Sequence, residues 1–269
     1  MKRTLTIFGL LLMLLIPSAL AADVNVTLDG QPLENFTATM VDNTAYVSFR
    51  DFCEQVGKMD VTRTDRGIAL AWNADFFVEA TPAWDYIAAN GRCFYLGDTP
   101  VIMSDTLTMV PAQVIARAYD AAVSWNAETN TLEITSGSGI PVSGAEYYNA
   151  DDLYWLARII QAESGNQPLE GKIAVGTVIL NRVASPQFPN TIYDVIFDRR
   201  CSVQFTPTAN GSIYNTPSAD SVLAAKLCLD GAREAENSLY FVTSRSASRS
   251  WAGRNRPYVE TIGAHNFYA

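Results

Sequence analysis

The sequence predicts an α+β protein with two folded parts: an N-terminal part of duplicated strand–helix–hairpin units and a mainly helical C-terminal part. Three observations support this prediction. A pattern of elements repeats within residues 43–135, a Ser-, Gly- and Pro-rich segment follows it, and the two halves differ in charge. Residues 23–145 contain 16 acidic and 6 basic residues, whereas residues 146–269 contain 12 and 11. Such a shift in composition is typical of two domains.

The first 22 residues have the composition of a secretory signal peptide. Lys2 and Arg3 precede an apolar run from Leu5 to Ile16, and small residues follow as far as Ala22. The run is too short to span a bilayer comfortably, and no other stretch approaches that length. We therefore expect a secreted or cell-envelope protein with no membrane span after cleavage of the signal.

The repeat lies in residues 43–72 and 105–135. Each copy reads as a short strand, a helix, a small or polar break and two further strands. The predicted helices cover residues 51–56 and 111–118, and the second begins at a proline, as helices commonly do. Alternating apolar residues around turn residues such as "DRG" favour antiparallel hairpins.

Residues 24–136 resemble the copper amine oxidase N-terminal-type stalk domain, which occurs in duplicate on exported proteins of Gram-positive bacteria. The resemblance lies mostly in hydrophobic spacing. It implies a spacer or adhesion module in the envelope of a Gram-positive-type bacterium. A glycan-binding role is the alternative, because Trp84, Tyr86 and Trp125 could stack on sugars, although such residues more often fill cores. We assign residues 23–136 to this domain, 137–148 to a flexible linker and 149–269 to the second domain.

Composition excludes several classes of function. His265 is the single histidine and no CxxC motif occurs, so a zinc site built from several histidines is excluded. The acidic N-terminal half and the lack of a basic stripe argue against nucleic acid as a partner. We predict no metal and no cofactor. Two cysteines in each half permit one disulfide per domain: Cys53 with Cys93, and Cys201 with Cys228.

The C-terminal half opens with a helix that carries an unexpected carboxylate. Asn149 can cap this helix, and Leu156 and Ile160 belong to its apolar stripe. Glu163 falls on or beside that stripe, just before Gly165, which we expect to end the helix. The following helix begins at Pro168 and is almost wholly apolar or small, as buried helices are. Glu163 should therefore sit at a junction of core helices.

Partial burial and the negative end of the helix dipole both disfavour a charged carboxylate at Glu163. A raised pKa is the property that a general acid needs near neutral pH. The alternative is structural, because a glutamate in the last turn of a helix is usually solvated at the edge of the apolar stripe.

The C-terminal half also resembles the SleB-type cell-wall hydrolase family, which includes the spore-cortex-lytic enzymes. The resemblance covers about residues 151–269 and rests on five blocks in the family's order: "ESGNQPLEGKIAVGTVILNRV", "FPNTIYDVIF", "QFTPTANG", "LYFV" and "IGAHNFY". It implies a fold similar to that of lysozyme and the lytic transglycosylases, with Glu163 as the catalytic acid. The resemblance and the electrostatic argument thus select the same residue.

The predicted reaction is cleavage of the β-1,4 bond between N-acetylmuramic acid and N-acetylglucosamine in peptidoglycan glycan strands. No second carboxylate is obvious, which favours a lytic transglycosylase, although Asp194 could supply one. We expect Gln204, Phe205, Tyr240 and His265 to surround the sugar groove.

Two alternatives stay open at this point. A papain-like cell-wall peptidase would use Cys201 or Cys228 as nucleophile and His265 as base, an order of residues that the chain allows. A catalytically inactive cell-wall-binding or scaffold protein would retain the same motifs without activity.

Overall fold

The computed structural model describes residues 24–82, 84–104, 106–139 and 142–269. The predicted signal peptide, residues 1–22, lies outside this part of the chain. Among the residues that the structure describes, no helix is long and apolar enough to cross a membrane.

The N-terminal part is rich in β-sheet. Its strands are β1 (Asn25–Leu28), β2 (Gln31–Pro32), β3 (Ala38–Val41), β4 (Thr44–Ser48), β5 (Asp60–Arg63), β6 (Ala69–Trp72), β7 (Phe77–Ala80), β8 (Tyr86–Ala89), β9 (Arg92–Tyr95), β10 (Ile102–Met103), β11 (Thr108–Pro111), β12 (Ala122–Asn126) and β13 (Thr131–Thr135). Its helices are short: α1 (Phe49–Asp51), which continues as a π-helical turn (Phe52–Val56), and α2 (Ala112–Arg117). Most of these strands contribute buried apolar residues to one core, which they share with these helices.

The strands form three sheets, with the orders β12-β13-β1-β2, β10-β11-β4-β3 and β5-β6-β7-β8-β9. Strand β1 runs parallel to β13, with Val26 opposite Leu132, so the first and last strands of this part are neighbours. The shared core includes Phe49, Phe52 and Ile115, all fully buried.

The two predicted units correspond to two runs of elements in the structure. The first runs from β4 through α1 and its π-helical turn to β5 and β6, and the second runs from β11 through α2 to β12 and β13. Strands β4 and β11 pair antiparallel, with Val47 opposite Val110. Strands β7 to β10 were not predicted from the sequence. The origin of the two units by duplication stays a prediction.

The C-terminal part is mainly helical. Its helices are α3 (Gly144–Tyr147), α4 (Ala150–Ser164), α5 (Leu169–Ala184), α6 (Ile192–Ile196), α7 (Pro207–Asn210), α8 (Ala219–Leu229) and α9 (Trp251–Asn255). This part also contains two 3-10 turns (Ser212–Tyr214 and Ser244–Arg249) and three strands: β14 (Tyr240–Thr243), β15 (Tyr258–Ile262) and β16 (His265–Tyr268). The strands form one antiparallel sheet in the order β14-β16-β15.

Helices α4, α5 and α8 pack against one another in the second core. The side chain of Asn149 accepts hydrogen bonds from the backbone N–H groups of Asp151 and Asp152, which confirms the predicted cap of α4. Helix α5 is buried along most of its length because small residues allow close approach. A Cβ atom added at Gly176 would lie 2.6 Å from the sulfur of Cys228 on α8.

The two parts also contact each other directly. Strand β9 contributes Cys93 to the second core. Nε of Arg92 donates to the Asp230 carboxylate at 3.1 Å, and the Tyr148 hydroxyl donates to the same carboxylate. Asp230 is buried, so this ion pair is shielded from water. The end of the predicted flexible linker is likewise held in place, because the N–H of Gly144 donates to the carbonyl of Asn90 at 2.8 Å.

We expect Asp230→Ala to lower the free energy of unfolding by about 3–5 kcal/mol, because it leaves the partly buried Arg92 guanidinium and the buried Tyr148 hydroxyl without their acceptor. Urea denaturation followed by tryptophan fluorescence measures the change. The control is Arg50→Ala, which breaks an exposed ion pair with Glu54 and should cost less than about 1 kcal/mol. Equal losses in the two variants would contradict a stabilising role for the buried network.

Candidate active site

Glu163 lies in the last turn of α4, as predicted. The helix ends at Ser164, and Gly165 caps it with a φ of −54°, in the right-handed region rather than the left-handed one that a glycine after a helix usually adopts. Close approach explains the glycine instead, because an added Cβ atom would lie 2.6 Å from the carbonyl oxygen of Gln161. The expected helix end is therefore confirmed, and the expected reason for it was wrong.

The Glu163 side chain lines a cleft of about 330 Å³. The walls come from α5, the loop that leads into α7, strand β14 and the start of α9. The lining residues are Glu163, Arg182, Ser202, Val203, Gln204, Phe205, Thr206, Tyr240, Phe241, Val242, Ser250, Trp251 and Ala252. Of the residues that the structure describes, Glu163 is the single carboxylate that lines this cleft.

Burial raises the pKa of Glu163 above the ordinary glutamate value of 4.5. Across the described ranges, its carboxylate has no hydrogen-bond or salt-bridge partner that would favour the charged form. The half-buried carboxylate is thus suited to holding a proton at a pH where an exposed glutamate would have lost it.

Three of the four predicted sugar-contacting residues lie in the same cleft. Gln204, Phe205 and Tyr240 all line it, and the Gln204 amide donates to the carbonyl of Ser202 at 3.3 Å. Phe205 is buried and stacks on Phe241, with ring centroids 6.3 Å apart. Their contact with substrate stays a prediction.

His265 is not brought to the surface of the cleft. It is buried on β16, and its ring packs edge-on against Phe241 at 5.4 Å. Burial lowers the pKa of His265, so the imidazole is neutral near pH 7. The histidine therefore supports a cleft-lining aromatic ring instead of lining the cleft itself.

A second cavity of about 790 Å³ adjoins the first and shares four of its lining residues: Ser202, Gln204, Tyr240 and Trp251. We refer to these two cavities together as the groove. Asp198 lines the second cavity, where the Arg200 guanidinium at 2.9 Å holds the pKa of its carboxyl below the usual value.

Asp194, the candidate for a second catalytic carboxylate, lies elsewhere. It is exposed at the start of α6 and accepts a hydrogen bond from the Thr191 hydroxyl at 2.7 Å. It lines neither cavity of the groove. Thr191 is the N-cap of α6, and Asp194 lies in the first turn, where its backbone N–H donates to the Thr191 hydroxyl.

Sequence reasoning missed two residues of the groove. Trp251 lies in a polar, basic stretch of the sequence. Its side chain is 54% exposed and lines both cavities. Arg182 lies in the apolar pattern of α5, and it too lines the cleft of Glu163. In the sequence, the available signs were a tryptophan among basic residues and an arginine within the apolar pattern of a helix.

The cysteines do not support the peptidase alternative. All four are free thiols, so the permitted disulfides do not form. Burial raises the pKa of Cys228 to about 12, which leaves almost no thiolate at neutral pH. Cys201 is exposed and lines the second cavity, whereas His265 is buried next to Phe241.

In the described part of the chain, no cluster of three or more His, Cys, Asp or Glu residues could hold a metal ion.

Comparison with known proteins identifies both parts of the chain. Residues 166–268 match the Cell Wall Hydrolase family model, so the matched segment begins just after Glu163. Residues 27–134 match the copper amine oxidase N-terminal domain model. The chain therefore carries a cell wall hydrolase domain preceded by a copper amine oxidase N-terminal domain. The proteins that it matches include spore cortex-lytic enzymes and SleB.

The relatives match about half of this chain. A spore cortex-lytic enzyme of Bacillus cereus is 35% identical over 141 residues, which are 52% of this chain and 51% of the relative. That of Bacillus subtilis is 34% identical over 120 residues, 45% and 38% of the two chains. The chain thus spans about half the length of the first of these relatives, and less of the second. The solved catalytic domain of the germination-specific lytic transglycosylase SleB from Bacillus anthracis is 37% identical, with a TM-score of 0.41, covering 45% of this chain and 97% of that one.

We expect Glu163→Gln to raise the melting temperature above that of the parent at pH 8. The unfolded chain ionises its glutamate near pH 4.5, whereas the folded state resists ionisation, so the parent loses stability as the pH rises through the folded pKa. Below pH 4.5 both states are protonated and the difference between Gln and Glu should vanish. Thermal unfolding between pH 4 and pH 8 measures this, with exposed Glu236→Gln as the control. A lower melting temperature for Glu163→Gln at pH 8 would contradict the burial argument.

Proposed function

We propose that the C-terminal domain cleaves the β-1,4 bond between N-acetylmuramic acid and N-acetylglucosamine in peptidoglycan, as a lytic transglycosylase with Glu163 as general acid and base. One observation carries the proposal: a half-buried carboxylate with a raised pKa is the single carboxylate lining its cleft among the described residues. The similarity to enzymes named as cortex-lytic and as lytic transglycosylases supports the same chemistry.

The first step needs a proton. Protonated Glu163 donates to the glycosidic oxygen while the bond to the anomeric carbon of the muramic acid residue breaks and oxocarbenium character develops at that carbon. The departing N-acetylglucosamine leaves with a hydroxyl group, and Glu163 is left as a carboxylate. Burial favours return of this carboxylate to the neutral form, so the group is equally suited to accept a proton in the next step.

The second step needs a nucleophile. In the proposed route the 6-hydroxyl of the muramic acid residue attacks its own anomeric carbon, and the Glu163 carboxylate takes the hydroxyl proton. The product has a 1,6-anhydro ring, and no water is consumed. A hydrolase would need a second carboxylate roughly 5–9 Å from the first. Asp194 lies outside the groove, and Asp198 lies in the adjoining cavity, paired with Arg200, so the arrangement favours the one-carboxylate route.

The groove has features that suit a sugar polymer. Tyr240 and Trp251 line both cavities, and their ring centroids are 5.5 Å apart. Aromatic rings present flat apolar faces that can stack on pyranose rings. Gln204 also lines both cavities and can bond an N-acetyl group. The second cavity, which shares four lining residues with the cleft of Glu163, adds room for further sugars.

Location and domain roles belong to the same proposal. We propose that residues 1–22 direct secretion and that the protein acts in the cell envelope of a Gram-positive-type bacterium. The N-terminal domain, with its two strand–helix–hairpin units, acts as a duplicated spacer module. Its contacts through Arg92 and Tyr95 attach it to α8 and the turn after it, which carries Asp230 and Glu234.

Purified peptidoglycan incubated with residues 23–269 should release muropeptides with 1,6-anhydro ends, detected by mass spectrometry. Glu163→Gln should lower the rate by about 10²-fold or more, the usual loss when a general acid is removed. Cys201→Ser is the control and should retain full activity, since a glycosidase needs no thiol. Reducing ends of ordinary mass would indicate a hydrolase, loss of activity in Cys201→Ser would favour the peptidase, and absence of fragments would favour a binding protein.

Trp251→Ala should raise KM by about 2- to 12-fold with a smaller effect on kcat, because the lost stacking contact contributes about 0.5–1.5 kcal/mol to the binding of substrate and transition state alike. Steady-state release of soluble muropeptides measures both constants. The matched control is Trp72→Ala, since Trp72 is partly exposed on β6 of the N-terminal domain. An unchanged KM in Trp251→Ala would contradict the role of this ring.

A further inference from the structure

We propose that Arg182 is a substrate-binding residue of this groove, whose guanidinium donates a hydrogen bond to a carbonyl or carboxylate oxygen on a sugar substituent. The inference rests on the proposed function, because it names the group that recognises the glycan next to Glu163. It adds a charged contact to a site whose other predicted contacts are aromatic rings and one amide.

The first support is an unused donor. Arg182 is only 5% exposed and lines the cleft of Glu163. Its Nε donates to the carbonyl of Leu239 at 2.8 Å. Its Nη1 is buried and has no hydrogen-bond partner among the described residues. Buried donors are nearly always paired, so an unpaired one in the wall of a cleft indicates an acceptor that arrives with a ligand.

The second support is the surroundings of the charge. Three aromatic rings contact the guanidinium carbon, at 4.9 Å from the centroid of Phe188, 5.2 Å from Phe205 and 5.5 Å from Tyr240. These rings hold the cation and keep water away from it, but they offer no oxygen to its N–H groups. Burial lowers the pKa of Arg182 to about 10, so it is still charged at neutral pH.

The third support is the lack of a neutralising partner within the described residues. Asp198 lies close enough to act on the charge of Arg182, but its carboxylate is bonded to Arg200 at 2.9 Å. A buried cation without a bonded counter-ion is costly, and a ligand oxygen would reduce that cost. The planar guanidinium suits a flat carbonyl or carboxylate group better than a hydroxyl.

Peptidoglycan offers two sources of such oxygens. Both sugars carry an N-acetyl carbonyl, and only muramic acid carries a lactyl group. The test uses the Glu163→Gln variant of the mature chain, which should bind sugars without cleaving them. Isothermal titration compares tetra-N-acetylchitotetraose, which has N-acetyl groups alone, with a tetrasaccharide prepared from peptidoglycan that also contains muramic acid.

Adding Arg182→Met to Glu163→Gln should weaken binding by about 10- to 100-fold, as loss of a charged hydrogen bond does. The matched control is Arg158→Met, because Arg158 also packs over an aromatic ring, at 4.1 Å from Tyr154, and has a buried unpaired Nε, yet it lines neither cavity. Weaker binding of both oligosaccharides assigns the N-acetyl oxygen, and weaker binding of the peptidoglycan tetrasaccharide alone assigns the lactyl oxygen.

Equal affinity of the parent Glu163→Gln protein and its Arg182→Met derivative would overturn the inference and leave the proposed function standing. No binding of either oligosaccharide by the parent would overturn both. If Arg182→Met does not fold, the side-chain N–H signals of Arg182 are followed by nitrogen NMR in Glu163→Gln. Addition of the tetrasaccharide from peptidoglycan should shift them, and unshifted signals despite saturation would overturn the inference.

Discussion

The candidate site depends on the close packing of α5 against its two neighbouring helices. Helix α5 is buried because Gly176 leaves room for Cys228 of α8, and α4 packs on both helices. This packing sets the end of α4 at the cleft and keeps Glu163 half-buried. A bulkier residue at position 176 would force α8 away from α5. The raised pKa of Glu163 is therefore a consequence of how tightly the core is packed around the helix that carries it.

Burial has different effects on the two ionisable groups of the cleft, Glu163 and Arg182. A carboxyl group escapes the cost of burial by keeping a proton, which is what the raised pKa of Glu163 expresses. A guanidinium cannot do so near neutral pH, because a pKa of about 10 leaves Arg182 charged. The first group is thus suited to proton transfer and the second to holding an oxygen. The same apolar surroundings produce both roles because the two groups differ in ordinary pKa by many units.

The interface between the two parts gives the N-terminal domain a fixed place. Residues from β8 and β9 pack against the second core, and the buried pair of Arg92 and Asp230 adds a specific ionic contact. A spacer attached only by a Ser- and Gly-rich segment would be free to move. Here the segment ends in a short helix whose first residue bonds to the β8–β9 turn. The proposed spacer would therefore hold the groove at a set distance and orientation.

The sequence by itself determined the features that depend on local spacing. The Asn149 cap, the stripe of α4, the position of Glu163 beside it and the burial of α5 follow from residues within one or two turns of each other. Gln204, Phe205 and Tyr240 were found through the family motifs. Only the tertiary structure showed that Trp251 and Arg182 share the groove, that His265 packs against Phe241 and that Asp194 lies outside the groove, in the first turn of α6. Those positions depend on which loops meet in space, and no spacing along the chain specifies that.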